Sequence, residues 1–98
     1  MKTSHVYILQ CADQSYYTGV TSNLVQRIEK HQNGFYKNSY TYKRRPVKLV
    51  YTCEFKNIEL AFIYETKLKK WSRAKKEALI KGEFDLLPKL SKKKFIKP

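Results

Sequence analysis

Apolar and polar positions change their period several times along this chain of 98 residues. Residues 5–11, His5-Val6-Tyr7-Ile8-Leu9-Gln10-Cys11, are rich in β-branched and aromatic side chains and alternate only partly. That pattern predicts a strand buried over much of both faces. Asp13-Gln14-Ser15 is a turn signal, and residues 16–21, Tyr16-Tyr17-Thr18-Gly19-Val20-Thr21, supply the second strand of a hairpin. Gly19 weakens that strand, so it marks either a bulge or a point where something approaches the backbone closely. The period then becomes helical. Leu24, Val25 and Ile28 give residues 23–32 an apolar face, with Ser22 or Thr21 as cap and Asn33-Gly34 as stop.

Residues 34–46 carry no period. Pro46 precedes a third strand over 47–54, with Val47, Leu49, Val50, Tyr51 and Cys53, and a strand after such a crossover returns to the same small sheet. Asn57 caps a longer helix over 58–71, whose expected buried stripe is Ile58, Ala61, Phe62, Leu68 and Trp71. Ser72 opens a further turn or helix over 73–81, which Gly82 stops. Phe84, Leu86, Leu87 and Leu90 are candidates to dock the C-terminal segment on the core, and residues 91–98 read as a frayed basic tail. The length argues for one domain over 1–98 with a single modest core.

Charge changes this picture most. Twenty-one Lys and Arg face eight Asp and Glu, for a net +13. Such a surface attracts polyanions, of which nucleic acid is the commonest, although a solubilising charge excess is the plainer alternative. The excess is uneven, since residues 66–98 alone carry +9. Cys11 and Cys53 form no metal-ligand spacing and read as buried free thiols. With His5 and His31 as the only histidines, a zinc site lacks ligands, and no phosphate-loop or dinucleotide glycine pattern is present. There is no signal-peptide pattern and no apolar run of membrane-spanning length, so a cytoplasmic protein with no membrane partner is the expectation.

Three groups could carry chemistry. Glu65 falls on the apolar stripe of its helix, where a carboxylate must be paired, coordinated or at the rim of a cavity. It is either a salt-bridge partner of a nearby Lys or Arg, or the oxygen ligand of one Mg²⁺ whose shell waters and a phosphate complete. Asn23, Arg27 and His31 recur every four residues on one helical line. Arg27 can fork onto a phosphate, and His31 can shuttle a proton or contact one; the plain alternatives are a surface ion pair and a solvent-facing imidazole. Tyr7 and Tyr17 lie on adjacent strands, where their hydroxyls can come close. A tyrosine is a poor base at neutral pH unless a cation or metal lowers its pKa, and both could equally be packing residues. The aromatic–basic loop offers Lys37, Tyr40, Tyr42, Lys43, Arg44 and Arg45 for stacking on bases and neutralising phosphates, and Lys70, Arg73, Lys75 and Lys76 extend the basic surface.

Taken together, these residues resemble the GIY-YIG endonuclease superfamily. Val6-Tyr7-Ile8 takes the place of its first signature tripeptide and Tyr17-Thr18-Gly19 of its second, eight residues apart. The phrase Tyr16 to Thr21 followed by Leu24, Arg27 and His31, and Glu65 followed by Lys67 and Lys70-Trp71-Ser72-Arg73, look like its small single-domain bacterial members. These are similar to the N-terminal nuclease domain of the excision-repair protein UvrC. The resemblance runs from about residue 5 to residue 90. Val6 stands where the first signature has Gly, and Thr18 where the second has Ile. No Asn follows Asn57, where many superfamily nucleases carry a late one.

The resemblance implies an α/β (α+β) fold with a small three-stranded antiparallel sheet flanked by helices. It implies Mg²⁺ or Mn²⁺ on Glu65, Tyr7 or Tyr17 acting on water, Arg27 bracing the phosphate and His31 assisting, with Gly19 structural at the site. The function so implied is a metal-dependent DNA endonuclease, on branched, flapped or single-stranded DNA in repair or processing. The alternative is a nucleic-acid-binding module with little or no catalysis, which needs only the charge and the aromatic–basic loop. A third class is a ribosome- or complex-associated structural protein that uses its Lys-rich C-terminus as a contact surface, and a protein partner is a further expectation. These residues specify no oligomeric state.

Overall fold

A computed structural model describes residues 3–83. The expected docking of Phe84, Leu86, Leu87 and Leu90 and the tail at 91–98 lie outside the described residues. Strands β1 (Ser4–Gln10), β2 (Tyr16–Thr21) and β3 (Lys48–Phe55) form one antiparallel sheet in the order β2-β1-β3. Helices α1 (Leu24–Gln32), α2 (Ile58–Lys69) and α3 (Arg73–Lys81) flank it. The fold is therefore the small α/β class expected, with a three-stranded antiparallel sheet.

β1 lies at the centre because it is the strand with apolar side chains on both faces. Val6, Tyr7, Ile8 and Leu9 are all fully buried, which accounts for its incomplete alternation. Val6 and Ile8 pack with Ala61 and Leu68 of α2 and Leu79 of α3. Tyr7 and Leu9 pack on the opposite face with Cys11, Val47, Tyr17, and Leu24 and Ile28 of α1. Each such fully buried aliphatic contributes about 1.5–3 kcal/mol. Pairing of β1 with β2 is continuous from His5↔Thr21 to Gln10↔Tyr16, whereas β1 slips against β3 between Ile8 and Leu9. Gly19 thus sits in an unbroken ladder, and the sheet's irregularity lies elsewhere. Cys11 is buried and Cys53 half-buried, and both are free.

Some boundaries differ from those expected. Asn23, rather than Ser22 or Thr21, caps α1. Its side chain accepts from the Gln26 backbone N–H at 3.1 Å, while Thr21 Oγ1 accepts from the Asn23 N–H at 3.0 Å. Asn23 is thereby used locally, and the line of three on α1 reduces to Arg27 and His31. In α2, Ala61 and Leu68 are buried but Ile58 and Phe62 are exposed. Phe62 lies about 100° around the helix from Ala61, and the narrow sheet covers only the central stripe. α2 also ends at Lys69, so Trp71 packs on the core from the connection to α3. Gln32 clamps the end of α1 to β3: its amide donates to the Val47 carbonyl and accepts from the Val47 N–H at 2.9 Å. That clamp fixes both ends of the loop 33–46 and folds it over α1. The loop contains one 3₁₀ turn, Tyr42–Arg44.

Candidate active site at the edge strand

Edge strand β2 is where the expected site residues meet. Register sets Tyr7 opposite Gly19. A Cβ built on Gly19 would stand 2.5 Å from Tyr7 Oη and 2.6 Å from Tyr7 Cζ. Only glycine lets the tyrosine ring come this close to the backbone of β2, which is the close approach that a glycine in a strand signals. The ring then reaches past β2 to α1, where Tyr7 Oη lies 3.2 Å from His31 Nε2. His31 Nδ1 lies 2.8 Å from Thr41 Oγ1, and Thr41 Oγ1 is 3.1 Å from Ser39 Oγ.

Burial keeps both Tyr7 and His31 uncharged. Burial pushes the Tyr7 phenol up to about 12, with Tyr17 adding to it and Arg27 pulling back. Tyr7 is therefore a neutral phenol. His31 is 2% exposed, and burial, then the nearby Arg27 charge, hold its pKa below the ordinary value. A neutral imidazole carries one N–H. Either tautomer closes the chain: Tyr7 donates to Nε2 while Nδ1 donates to Thr41, or Thr41 donates to Nδ1 while Nε2 donates to Tyr7. Both ring nitrogens are thus engaged inside the protein, and His31 is not the solvent-facing imidazole that helical spacing alone allowed.

In front of this buried chain lies a cleft of about 240 Å³ lined by Tyr17, Arg27, His31, Tyr36, Ser39 and Tyr40. Tyr17 meets the edge of His31 at a centroid distance of 5.2 Å. Tyr36 lies 5.0 Å from His31 on its other side, and the Arg27 guanidinium sits 5.5 Å over the Tyr36 ring. Tyr7 is behind, its ring centroid 6.3 Å from that of Tyr17. The structure thus brings Tyr7, Tyr17, Arg27 and His31 together. Of the two tyrosines, Tyr17 opens on the cleft.

Glu65 does not line this cleft. It is on α2, which packs against the other face of the sheet. Its Oε2 accepts from Lys69 Nζ at 2.7 Å, and its side chain is only 12% exposed. This is the salt-bridge alternative for an acid on an apolar stripe. Lys69 in turn feels Tyr17, so the pair sits at the β2 edge. Among the described residues no three His, Cys, Asp or Glu side chains gather as a metal-binding group. One carboxylate is a hard-oxygen donor that suits Mg²⁺ only when waters and a substrate phosphate complete the shell. Glu65 is the carboxylate that would hold such an ion.

The expected nucleic-acid contacts divide in two. Arg44 is tied down by Asp13 at 3.1 Å, by the Tyr40 carbonyl at 2.8 Å and by stacking 3.8 Å over the Tyr40 ring. Arg45 lies 4.6 Å over Tyr42 and donates to the Tyr42 and Gln32 carbonyls. These two arginines hold the loop's shape. Arg73 pairs with Glu77 at 3.0 Å and covers Tyr16, and Lys75 lies 4.2 Å over Trp71. Lys37, Lys43 and Lys70 are exposed, and Lys76 is half-buried. No local pattern marked Thr41 or Ser39 as partners of His31. Tyr36 lay in the aromatic–basic loop, and Lys69 was visible as the i+4 partner of Glu65.

Comparison with known proteins matches residues 3–78 to the GIY-YIG catalytic domain. A UPF0213 protein of Syntrophus aciditrophicus is 43% identical over 81 residues, covering 83% of this chain and 93% of that protein. The solution structure of the UPF0213 protein BH0048 from Bacillus halodurans is 43% identical with a TM-score of 0.53, covering 81% of this chain and 83% of that one. The solution structure of the protein EF2693 from E. faecalis is 33% identical with a TM-score of 0.60, covering 86% and 88%. These relatives place the chain with UPF0213 proteins inside the GIY-YIG fold, rather than specifically with the UvrC nuclease domain. Among the described residues no helix is long and apolar enough to cross a membrane.

Proposed function

The chain belongs to the GIY-YIG catalytic domain family, and from that premise we propose that it is a nucleic-acid-binding domain with weak or no intrinsic catalysis. DNA is the expected ligand, with one backbone phosphate in the Tyr17–Arg27 cleft. One observation carries this reading. In a chain of charge +13, Arg27 and three tyrosines converge on a single cleft, while Glu65 is neutralised by Lys69. Arg27 forks onto the phosphate, and Tyr17 and Tyr36 flank it with hydroxyl and ring. Tyr40, backed by Arg44, offers a stiffened aromatic surface for a base or sugar. Tyr7 and His31 are positioning residues here, because their hydrogen bonds are made inside the protein. The test is fluorescence anisotropy with labelled single-stranded, duplex and flapped DNA at several salt concentrations. Binding should weaken steeply with salt, and Arg27→Met should weaken it on every substrate. Salt-insensitive binding, or an Arg27→Met protein that binds like wild type, sinks the reading.

A second reading, a metal-dependent DNA endonuclease acting on repair or processing intermediates, is favoured by the hydrogen-bonded Tyr7–His31–Thr41 chain directly behind Tyr17. Glu65 would hold the ion, and Mg²⁺ or Mn²⁺ there would neutralise phosphate charge and make water more acidic. Arg27 braces the phosphate oxygens, Tyr17 orients the attacking water, and His31 holds the Tyr7 hydroxyl in place. Cleavage of the same DNA panel with Mg²⁺ or Mn²⁺, lost with chelator and in Glu65→Ala, establishes this reading over the first. Cleavage that survives Glu65→Ala removes it.

A further inference from the structure

A second cleft, of about 340 Å³, opens on the other side of Tyr17, lined by Tyr16, Tyr17, Thr18, Tyr40, Lys69 and Lys76. It shares Tyr17 and Tyr40 with the first cleft. Those two rings lie nearly parallel, 17° apart with centroids at 6.4 Å, and form the wall between the clefts.

Three observations at this second cleft ask for an anion. Lys76 is half-buried, and among the described residues it makes no ion pair. Burial lowers its pKa, as expected for a cation short of countercharge. Thr18 is 4% exposed, and among the described residues its Oγ1 has no hydrogen-bond partner, which a buried hydroxyl almost always finds. Finally, Lys76 lies in the first turn of α3, which carries no acid. Cations at the positive end of a helix dipole are unfavourable unless an anion lies close by. Lys69, whose ammonium gives one N–H to Glu65, keeps two more donors at the cleft's rim.

We propose that this cleft is a second phosphate subsite, taking the phosphodiester next to the one held at Arg27, with Lys76 and Lys69 as its cations and Thr18 as hydroxyl donor. The strand then crosses the Tyr17–Tyr40 wall, with one phosphate on each side. The inference rests on the nucleic-acid reading and adds to it a register, two adjacent phosphates straddling two rings.

The probes are the oligothymidylates dT2, with one internal phosphate, and dT3, with two, titrated at low salt and followed by backbone amide NMR. Wild type should bind dT3 about tenfold more tightly than dT2, the scale of one charge-assisted contact. Amides of Thr18 and Lys76 should move with dT3 but not with dT2. Lys76→Met should erase the gain and leave dT2 affinity unchanged. Thr18→Val keeps the shape and removes the orphan hydroxyl, so it should shrink the gain while the melting temperature stays level or rises. A full gain retained in Lys76→Met, or silent Thr18 and Lys76 amides with dT3, overturns the subsite while dT2 binding leaves the first cleft standing. Failure of wild type to bind either oligomer brings down both readings together.

Discussion

The two faces of edge strand β2 handle polar groups in opposite ways. On the face of Tyr17 and Gly19, the polar groups around Tyr7 are matched, Tyr7 to His31, His31 to Thr41 and Thr41 to Ser39, and only His5 Nδ1, at the far end of β1, lacks a partner among the described residues. On the face of Tyr16 and Thr18, a buried hydroxyl has no partner and a half-buried lysine has no counterion among the described residues. One residue of register separates the two environments, since successive side chains in a strand point to opposite sides. A closed network is a scaffold; it sets the position of Tyr17 and the floor of the first cleft. Open groups cost stability, about 1–3 kcal/mol for an unsatisfied buried hydroxyl, and such a cost persists in a fold where a ligand repays it. The difference separates what holds this site together from what it holds.

Breaking the closed face should have the largest effect. Gly19→Ala puts a methyl 2.5 Å from Tyr7 Oη, so chemical denaturation should show a loss of about 2–3 kcal/mol, with the Tyr7–His31 bond lost as well. Stability unchanged within experimental error would mean that Tyr7 does not approach β2 so closely. Next comes His31→Leu, which strands the Tyr7 and Thr41 hydroxyls and should cost about 2 kcal/mol; His31→Gln, keeping one donor and one acceptor, should cost less. The same residue sets a pH dependence. The unfolded chain takes up a proton on His31 near pH 6.5, and the folded protein only at lower pH, where burial has moved it. Stability is therefore fully present above that pH and falls as the pH drops through and below 6.5. Urea midpoints measured from pH 7.5 to pH 5 should decline in wild type and decline less in His31→Gln.

The open face should respond in the other direction. Thr18→Val should stabilise the protein by about 1 kcal/mol, because no hydrogen bond is lost and an orphan hydroxyl disappears. A loss of more than 1 kcal/mol would show that Thr18 is satisfied after all and would remove the contrast. Smallest of all, Glu65→Ala should change stability by about 0.5 kcal/mol, since Lys69 is more than half exposed and the pair is a single i,i+4 contact. A large loss there would make Glu65 a structural residue first and a metal ligand second.

Much of the frame was legible from periodicity. The strand over 5–11 lacked clean alternation, and β1 is indeed buried on both faces. Gly19 was read as a bulge or a close approach, and the Tyr7 ring decides for the approach. Asn57, Ser72 and Gly82 mark helix ends as their chemistry requires, with Gly82 at φ 76°. What failed was non-local. Arg27 and His31 share a helical line, yet His31 is buried because the loop 33–46, pinned by Gln32 to β3, folds Tyr36 and Thr41 over it. No local pattern encodes that cover. The same loop's arginines looked free for phosphate, but Arg44 and Arg45 are bound to Asp13 and to carbonyls of their own loop and of α1. Glu65 stood out correctly as an acid on an apolar stripe, and its partner Lys69 lay four residues on.

The central claim is that nucleic acid is held across the two clefts of β2 rather than spread over a basic surface. Amide NMR of the protein titrated with a single-stranded DNA octamer, at low and at moderate salt, tests it most directly. The largest shifts are expected at Tyr17, Arg27, Tyr36, Tyr40 and Lys76, in the same pattern at both salt concentrations though weaker at the higher. Shifts confined to exposed Lys37, Lys43, Lys70 and Lys81, with Tyr17 and Arg27 silent, would contradict it.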